Sequence, residues 1–252
     1  MLLKGKTAFI SGAGRNNGKA IALNFAREGA DLVLIARKRS EDLNKVVKEC
    51  ESSAAQVLPL LADMSKPPEV ERAVARALER FGKVDVLVNA IGLRPHKMPW
   101  EYGYEEWDHI FAVNCHSSFY LAKALAPHMI ERKAGSIIVL GGNSALTASS
   151  PDSAVVAASK HAVHGLVKAL AQALGPHGVR ANLLALGHIE NERLHPEWYA
   201  GSDNRSAAQN ERTPLRREGR PSEVANVALF LASDLSSYVT GDFICCNGGR
   251  QL

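Results

Sequence analysis

The sequence predicts an α/β fold: a doubly wound parallel sheet in a single domain that spans residues 1–252. Apolar runs of strand length alternate with segments of helical periodicity from one end of the chain to the other. The strand candidates are continuous apolar runs, which are typical of parallel strands buried on both faces. Short connections between them imply repeated βαβ units with right-handed crossovers, so helices are expected on both faces of the sheet.

The first half of the chain alternates four strands with three helices. Each strand is a short apolar run, and each helix is an amphipathic segment that can cover the sheet with one face. The strands are predicted at residues 7–11, 31–36, 56–61 and 84–89, and the helices at residues 18–28, 41–51 and 69–81.

The second half continues the same alternation and adds one long irregular segment. Strands are predicted at residues 136–140, 180–184 and 243–246, and helices at residues 105–133, 154–174 and 221–232. The polar segment 187–213 is too long for an ordinary connection, so it is predicted to be a lid-like insertion. Ligands of such sheets bind beyond the carboxyl ends of the strands.

Composition and charge favour a small-molecule partner over a nucleic acid. Hydrophobic residues make up 46% of the chain and charged residues 22%, with a formal net charge of +4. The basic cluster Arg37-Lys38-Arg39 is too short for a nucleic-acid tract and better suits a small anion.

Cysteine usage and the N-terminus indicate a soluble, cytoplasmic protein. The four cysteines form no C-x-x-C pair and no Cys/His spacing that suits zinc, so we expect reduced thiols and no metal site. Residues 1–6 contain no apolar stretch of signal-peptide length, and no segment reaches the length of a membrane span.

A glycine-rich turn follows the first strand and opens the first helix. Gly12 permits a tight turn, and Gly18 allows the helix to pack close to the strand, while free N–H groups at the helix start suit a pyrophosphate. This context is typical of the Rossmann fold and predicts a dinucleotide site. The cofactor-binding residues predicted in this turn are Ser11, Gly12, Gly14, Arg15, Asn16, Asn17 and Gly18.

The residue after the second strand bears on the choice between NADP and NAD. An acidic residue there favours the ribose hydroxyls of NAD, whereas Arg accommodates the 2′-phosphate of NADP. This chain has Arg37 there, with Arg15 across the turn, and guanidinium groups suit phosphate geometry. NADP(H) is therefore the predicted cofactor, in preference to NAD(H).

Several motifs resemble those of the short-chain dehydrogenase/reductase family, and the likeness extends over nearly the whole chain. The turn resembles the family's T-G-x-x-x-G-x-G, with Ser11 for Thr and with Asn16, which tolerates left-handed backbone, for the middle Gly. The other matching segments are Asp63-Met64, Asn89-Ala90-Ile91-Gly92, Asn114 in WDHIFAVN, Gly219 to Ala225 and Asn247-Gly248-Gly249.

The departures from the family pattern fall at the chemistry. The family's Tyr-x-x-x-Lys motif aligns with Val156 to Lys160, so the lysine is present and the tyrosine is replaced by valine. The family's serine position holds Gly142 or Asn143, and Ser144 lies slightly beyond it.

The resemblance implies roles for individual residues. Asn114 and Lys160 match the family's active-site Asn and Lys, while Asp63, Met64, Asn89, Gly187 and Ile189 lie where the family binds its cofactor. Val156 cannot donate a proton, so the family's mechanism cannot run unchanged. His188 is the best replacement acid, against the alternative of an ordinary loop histidine, and Ser144 is a candidate for substrate contact.

Three functions remain open from the sequence. The first is an NADP(H)-dependent oxidoreductase acting on a carbonyl or alcohol with a degenerate active site. The second is a non-catalytic dinucleotide-binding sensor or subunit, and the third is a lyase, hydratase or isomerase that reuses the fold. The resemblance and the long apolar-striped helices also predict a homotetramer.

Overall fold

The computed structural model describes residues 1–38, 41–53, 55–148, 150–192 and 209–250. Its sheet has seven strands in the order β3-β2-β1-β4-β5-β6-β7, and every neighbouring pair is parallel. The predicted α/β fold is therefore confirmed. The strands are β1 Thr7–Ser11, β2 Asp31–Ala36, β3 Val57–Leu61, β4 Val86–Asn89, β5 Gly135–Gly142, β6 Val179–Leu186 and β7 Phe243–Cys246.

Seven helices connect the described strands or cover them. They are α1 Asn16–Arg27, α2 Glu41–Glu51, α3 Pro67–Phe81, α4 Tyr104–Phe111, α5 Ser117–Arg132, α6 Ala154–Leu174 and α7 Pro221–Ala232. Most of the lid-like insertion predicted at 187–213 lies outside the described residues, as does Arg39. No helix among the described residues is both long enough and apolar enough to cross a membrane.

The sheet separates two apolar layers, because alternate side chains of a strand point to opposite faces. Phe9 packs with the buried faces of α3, α5 and α6, whereas its neighbours Ala8 and Ile10 pack with those of α1, α2 and α7. The continuous apolar strands noted in the sequence are thus buried on both sides, as a doubly wound sheet requires.

The strand order reverses direction at β1, and this reversal positions the site. The chain runs outward from β1 to β2 and β3, then returns to place β4 on the other side of β1. The connections that leave β1 and β4 therefore diverge to opposite faces. A crevice opens between them at the carboxyl ends of the strands, where doubly wound sheets bind their ligands.

The helix predicted at residues 105–133 is interrupted. Between α4 and α5 the backbone forms a π-helical turn over Ala112–His116, which accommodates one extra residue per turn. Asn114 lies in this turn, is buried, and pairs with the backbone of Leu93. The apolar periodicity of the sequence does not reveal this interruption, because a single π-helical turn hardly changes the apolar pattern on either side.

Candidate active site

A cleft of about 610 Å³ opens beyond the carboxyl ends of the central strands. It extends from the segments that follow β2 and β3, past the glycine-rich turn, to the carboxyl end of β5 and the loops after β4 and β6. Residues from all of these segments line it, which is the arrangement expected at a switch point. The predicted site residues on its wall are Gly12, Gly14, Arg15, Asn16, Asn17, Gly18, Arg37, Asp63, Met64, Lys160, Gly187 and Ile189.

The glycine-rich turn is shaped by close backbone contacts. Gly12 lies at φ +74°, and a Cβ atom on Gly18 would stand 2.0 Å from the carbonyl oxygen of Gly12, so α1 can begin against β1 only without a side chain. Asn16 lies at φ +48°, in the left-handed region that asparagine tolerates. Substitution of Asn for the family's middle glycine therefore preserves the turn.

The start of α1 presents polar groups to the cleft that no side chain caps. Arg15 is the N-cap residue of the helix and has an extended backbone. Its side chain makes no hydrogen bond to the first N–H groups of α1. The Oδ1 atom of Asn17 is buried in this wall without a hydrogen-bond partner. Unpaired N–H donors at a helix N-terminus can bind an anionic group such as a pyrophosphate.

Basic side chains line the cleft beyond the second strand. Arg37 and Lys38 follow β2 and face Arg15 across the glycine-rich turn. Burial lowers the pKa of Arg15, and the carboxylates of Glu192 and Asp42 partly oppose that shift. This end of the cleft can therefore hold a phosphate through several charged donors.

The segment after β3 contributes one carboxylate. Burial favours the neutral form of Asp63, but two hydrogen bonds from Ser65 and the charges of Arg37 and Lys66 outweigh burial and lower the pKa. Asp63 is therefore ionised at neutral pH, next to the basic wall. Met64 supplies an apolar surface beside it.

Two predicted cofactor residues lie beneath the cleft rather than on its wall. Ser11 and Asn89 are register partners on β1 and β4, and the Ser11 hydroxyl donates to Asn89 Oδ1 at 2.5 Å. The Asn89 amide donates in turn to the hydroxyls of Ser117 and Ser118, at 3.0 and 2.8 Å. This buried network ties the ends of the two central strands to the start of α5.

Lys160 forms the floor of the opposite end of the cleft. The residue is 5% exposed, and its Nζ donates to the carbonyl oxygen of Leu140 at 2.9 Å. Burial first, and then the charge of Arg94, lower the pKa of Lys160 to about 8, while Cys115 partly opposes the shift. An ammonium group carries three donors, so two remain after the bond to Leu140.

Asn114 borders the same floor and holds the loop after β4. Its Oδ1 accepts from Leu93 N at 2.7 Å, and its Nδ2 donates to Leu93 O and to the hydroxyl of Ser159, each at 3.0 Å. A Cβ on Gly92 would lie 3.5 Å from Asn114 Oδ1 and 3.6 Å from Lys160 Nζ. The structure therefore brings Asn114 and Lys160 together around Gly92.

Val156 lies one helical turn before Lys160 but does not share its cleft. It is 5% exposed and packs in an apolar cluster with Ile110 and Val155, against which Tyr102 and Trp107 also lie. Among the described residues, the lining of the cleft includes Lys160 and not Val156. The position that the motif alignment assigns to tyrosine is thus filled by a packed aliphatic side chain.

Ser144 and His188 stand close to the cleft but outside its described lining. The Ser144 hydroxyl lies 3.5 Å from the position of a Cβ on Gly142. His188 turns its Nε2 to the carboxylate of Glu218 at 3.5 Å, and its Nδ1 is buried without a partner.

The sequence motifs do not identify every cleft residue, and Arg94 and Glu192 are two charged examples. Arg94 lines the floor end, and Glu192 exchanges two hydrogen bonds with the side chain of Asn16, at 2.8 and 3.1 Å. Both lie in irregular connections with no motif. A position shortly after the carboxyl end of a strand was the only sequence signal for Arg94. Within the described residues, no His, Cys, Asp and Glu side chains cluster as metal ligands would.

Comparison with known proteins agrees with this geometry. A family model described as "Enoyl-(Acyl carrier protein) reductase" matches residues 12–251. The 3-oxoacyl-(acyl-carrier-protein) reductase FabG of Thermotoga maritima is 36% identical, with 100% of both chains covered. The L-rhamnose 1-dehydrogenase (NAD(P)(+)) of Sphingomonas sp. (strain SKA58) is 32% identical, with 100% of this chain and 98% of the relative covered.

Solved structures show the same likeness. A short-chain dehydrogenase/reductase from Serratia marcescens superposes with a TM-score of 0.92 at 29% identity, covering 100% of both chains. The match of the family model, the full-length relatives and the shared sheet agree with one another. The chain therefore belongs to the short-chain dehydrogenase/reductase family of oxidoreductases, which bind nicotinamide dinucleotides.

Proposed function

We propose that this protein is an NADP(H)-dependent oxidoreductase that interconverts a small carbonyl compound and its alcohol. The observation that carries the cofactor preference is the basic wall after β2, where Arg37 and Arg15 both line the cleft. The residue that follows Ala36 is an arginine rather than Asp or Glu, so the adenosine end suits a 2′-phosphate.

Different residues of the chain bind different parts of the cofactor. The N-terminus of α1 and Asn17 receive the pyrophosphate, Arg37 and Arg15 the 2′-phosphate, and Asp63 with Met64 the adenine end. Lys160, Gly187 and Ile189 border the nicotinamide end, where the bound cofactor supplies or accepts a hydride. Ser11 and Asn89 act indirectly, because their buried hydrogen bonds hold the strands that carry these groups.

The catalytic end is degenerate in this assignment. Val156 provides no proton, and Gly142 and Asn143 stand where the family has serine. Asn114 positions the loop after β4 against Lys160. Ser144 and His188 are the candidates for substrate contact, and neither is among the described residues that line the cleft.

The cofactor preference gives the first prediction. We expect calorimetry to show tighter binding of NADP(H) than of NAD(H), because only NADP(H) engages Arg37 through its phosphate. Arg37→Gln should weaken NADP(H) binding by about 10- to 100-fold, the worth of a charge-assisted hydrogen bond or two, and leave NAD(H) binding nearly unchanged.

The matched control is Arg76→Gln, which removes the same charge from the exposed surface of α3, where Arg76 pairs with Glu79. It should leave both affinities unchanged. Equal affinity of the natural protein for the two cofactors would contradict the assignment of Arg37.

Turnover decides between this function and its alternatives. The valine at position 156 also favours a non-catalytic sensor or subunit. Such a protein would bind NADP(H), but no carbonyl or alcohol in a panel of test compounds would change the absorbance of the cofactor. A lyase or isomerase would convert substrate with no net change in the cofactor. We expect slow but measurable oxidation of NADPH with a carbonyl substrate.

A homotetramer in the cytoplasm completes the proposed function. Supporting it, α5 exposes 47% of Phe119, and α6 presents an exposed face that includes Gly165. Long helices with such faces commonly pair across two-fold axes. Light scattering at micromolar concentration should give about four times the chain mass, and a monomer mass would contradict this.

A further inference from the structure

The floor of the cleft contains one group that can exchange a proton. Among the described lining residues at that end, the ionisable side chains are Lys160 and Arg94, and an arginine does not lose its proton in proteins. We propose that the ε-ammonium group of Lys160 itself transfers a proton to the substrate oxygen, in place of the absent tyrosine. This inference rests on the proposed function and deepens it.

The other candidate donors are directed elsewhere. Val156 is packed in the apolar cluster, and Tyr102 turns its hydroxyl to the carbonyl of Pro95 at 3.4 Å. His188 faces Glu218. Both hydrogens of the Asn114 amide are used, on Leu93 and Ser159. Lys160, by contrast, lines the cleft and retains two donor hydrogens.

The surroundings of Lys160 favour release of its proton. The side chain is buried, and the charged group that faces it is Arg94, which repels the ammonium form. Cys115 faces it from the π-turn, but burial raises the pKa of that thiol, so it is neutral near pH 7. Leu140, Asn114 and Ser159 contribute no charge. No described carboxylate compensates the ammonium group.

The reaction balances with Lys160 as the acid. In reduction, bound NADPH would supply the hydride that the carbonyl carbon gains, and its oxidation to NADP⁺ would balance that gain. An N–H bond of Lys160 breaks as an O–H bond forms on the substrate, which leaves as the alcohol. The neutral amine then takes a proton from water at the open mouth of the cleft. Alcohol oxidation reverses each step, with the neutral amine as the base.

The pH profile provides the test. Lys160 must be protonated for reduction, so kcat at saturating NADPH should be constant below about pH 8 and fall above it. Alcohol oxidation should show the opposite limb through the same pH. Arg94→Gln removes the repelling charge, raises the pKa of Lys160 and should move both limbs upward by roughly 0.5–1 pH unit. Arg76→Gln, the surface control, should move neither.

If Lys160 only helped to bind the cofactor, its titration would not change kcat at saturating cofactor. We expect Lys160→Gln to lower kcat by about 10²-fold or more. Lys160→Arg keeps the charge but cannot release the proton, so we expect its kcat to be equally low. A profile that stays flat from pH 6 to 10, or restoration by Lys160→Arg, would overturn the role of Lys160.

A second readout needs no turnover. In protein labelled with ¹³C-lysine, one side-chain signal should titrate near pH 8, disappear in Lys160→Gln and move to higher pH in Arg94→Gln. Failure of NADP(H) to bind would defeat the proposed function and leave this titration intact. Binding and turnover with a Lys160 that titrates like an exposed lysine would defeat the inference alone.

Discussion

Replacing Gly18 with alanine should abolish high-affinity cofactor binding and destabilise the fold. The added Cβ would stand 2.0 Å from the carbonyl oxygen of Gly12 and 2.7 Å from its carbonyl carbon. Both are backbone atoms of the turn that joins β1 to α1, so no side-chain rotation relieves the clash. The turn must open, which moves the N-terminus of α1 and the N–H groups that we propose receive the pyrophosphate.

The expected magnitudes follow from overpacking. The free energy of unfolding should fall by on the order of 3 kcal/mol, a loss of roughly 10 °C in melting temperature for a chain of this size. NADP(H) affinity should fall by about 100-fold or more, measured by calorimetry at a temperature where the variant is still folded.

Gly14→Ala is the matched control from the same turn. Gly14 does not lie at positive φ, and a Cβ there would have no atom within 4 Å. Its melting temperature without cofactor should stay within about 1–2 °C of the natural protein, since substitutions into open space change stability little. Equal melting temperatures for all three proteins would show that α1 can shift away from β1 without cost.

Local sequence was enough to predict the sheet. Thr7–Ser11 and Asp31–Ala36 have the predicted bounds because each apolar run is flanked by charged, glycine or polar residues that end it. The helix Ala154–Leu174 was also predicted with its observed bounds, since its apolar period continues without interruption. The glycine-rich turn followed from the same reasoning, because it depends on residues adjacent in the chain.

The rest of the site depends on contacts that the linear sequence does not display. Ser11 is predicted from the motif as a cofactor residue, but the motif does not show that its hydroxyl donates to Asn89, which the register of β1 and β4 places beside it. The environment of Lys160 likewise depends on Arg94 and Cys115, which come from different connections. A motif reveals which residues are present, and only the fold reveals which of them remain free to react.

Restoring a tyrosine at position 156, together with a serine at Gly142, should raise reductase activity toward a generic diketone or ketoester. Lys160 and Asn114 already lie together at the floor of the cleft, so the tyrosine would add a phenolic acid beside the lysine and the serine would add a group that orients the substrate oxygen. A positioned general acid contributes about 10²- to 10⁴-fold, and because Lys160 already supplies a proton, the gain in kcat should lie near the lower end of this range.

The structure favours Gly142→Ser over Asn143→Ser as the partner substitution. The backbone of Gly142 is extended, and a Cβ there meets Ser144 Oγ at 3.5 Å and Leu186 O at 3.6 Å, which are ordinary contacts. Asn143, in contrast, accepts a hydrogen bond from Asn247 Nδ2 at 3.2 Å. Asn143→Ser would lose that bond, so we expect the smaller gain from it.

Val156→Tyr should lower the free energy of unfolding, because Val156 is buried in an apolar cluster. Enlarging a packed side chain costs about 1–3 kcal/mol, and the partly buried rings of Tyr102 and Trp107 must shift to admit another ring. Val156→Phe separates the two effects: it adds nearly the same volume without a hydroxyl. We expect both variants to lose similar stability and only Val156→Tyr to gain activity, with its alkaline limb above that of the natural protein. Equal activity in the two variants would show that the tyrosine hydroxyl never reaches the cleft, and that position 156 serves the packing of α6 alone.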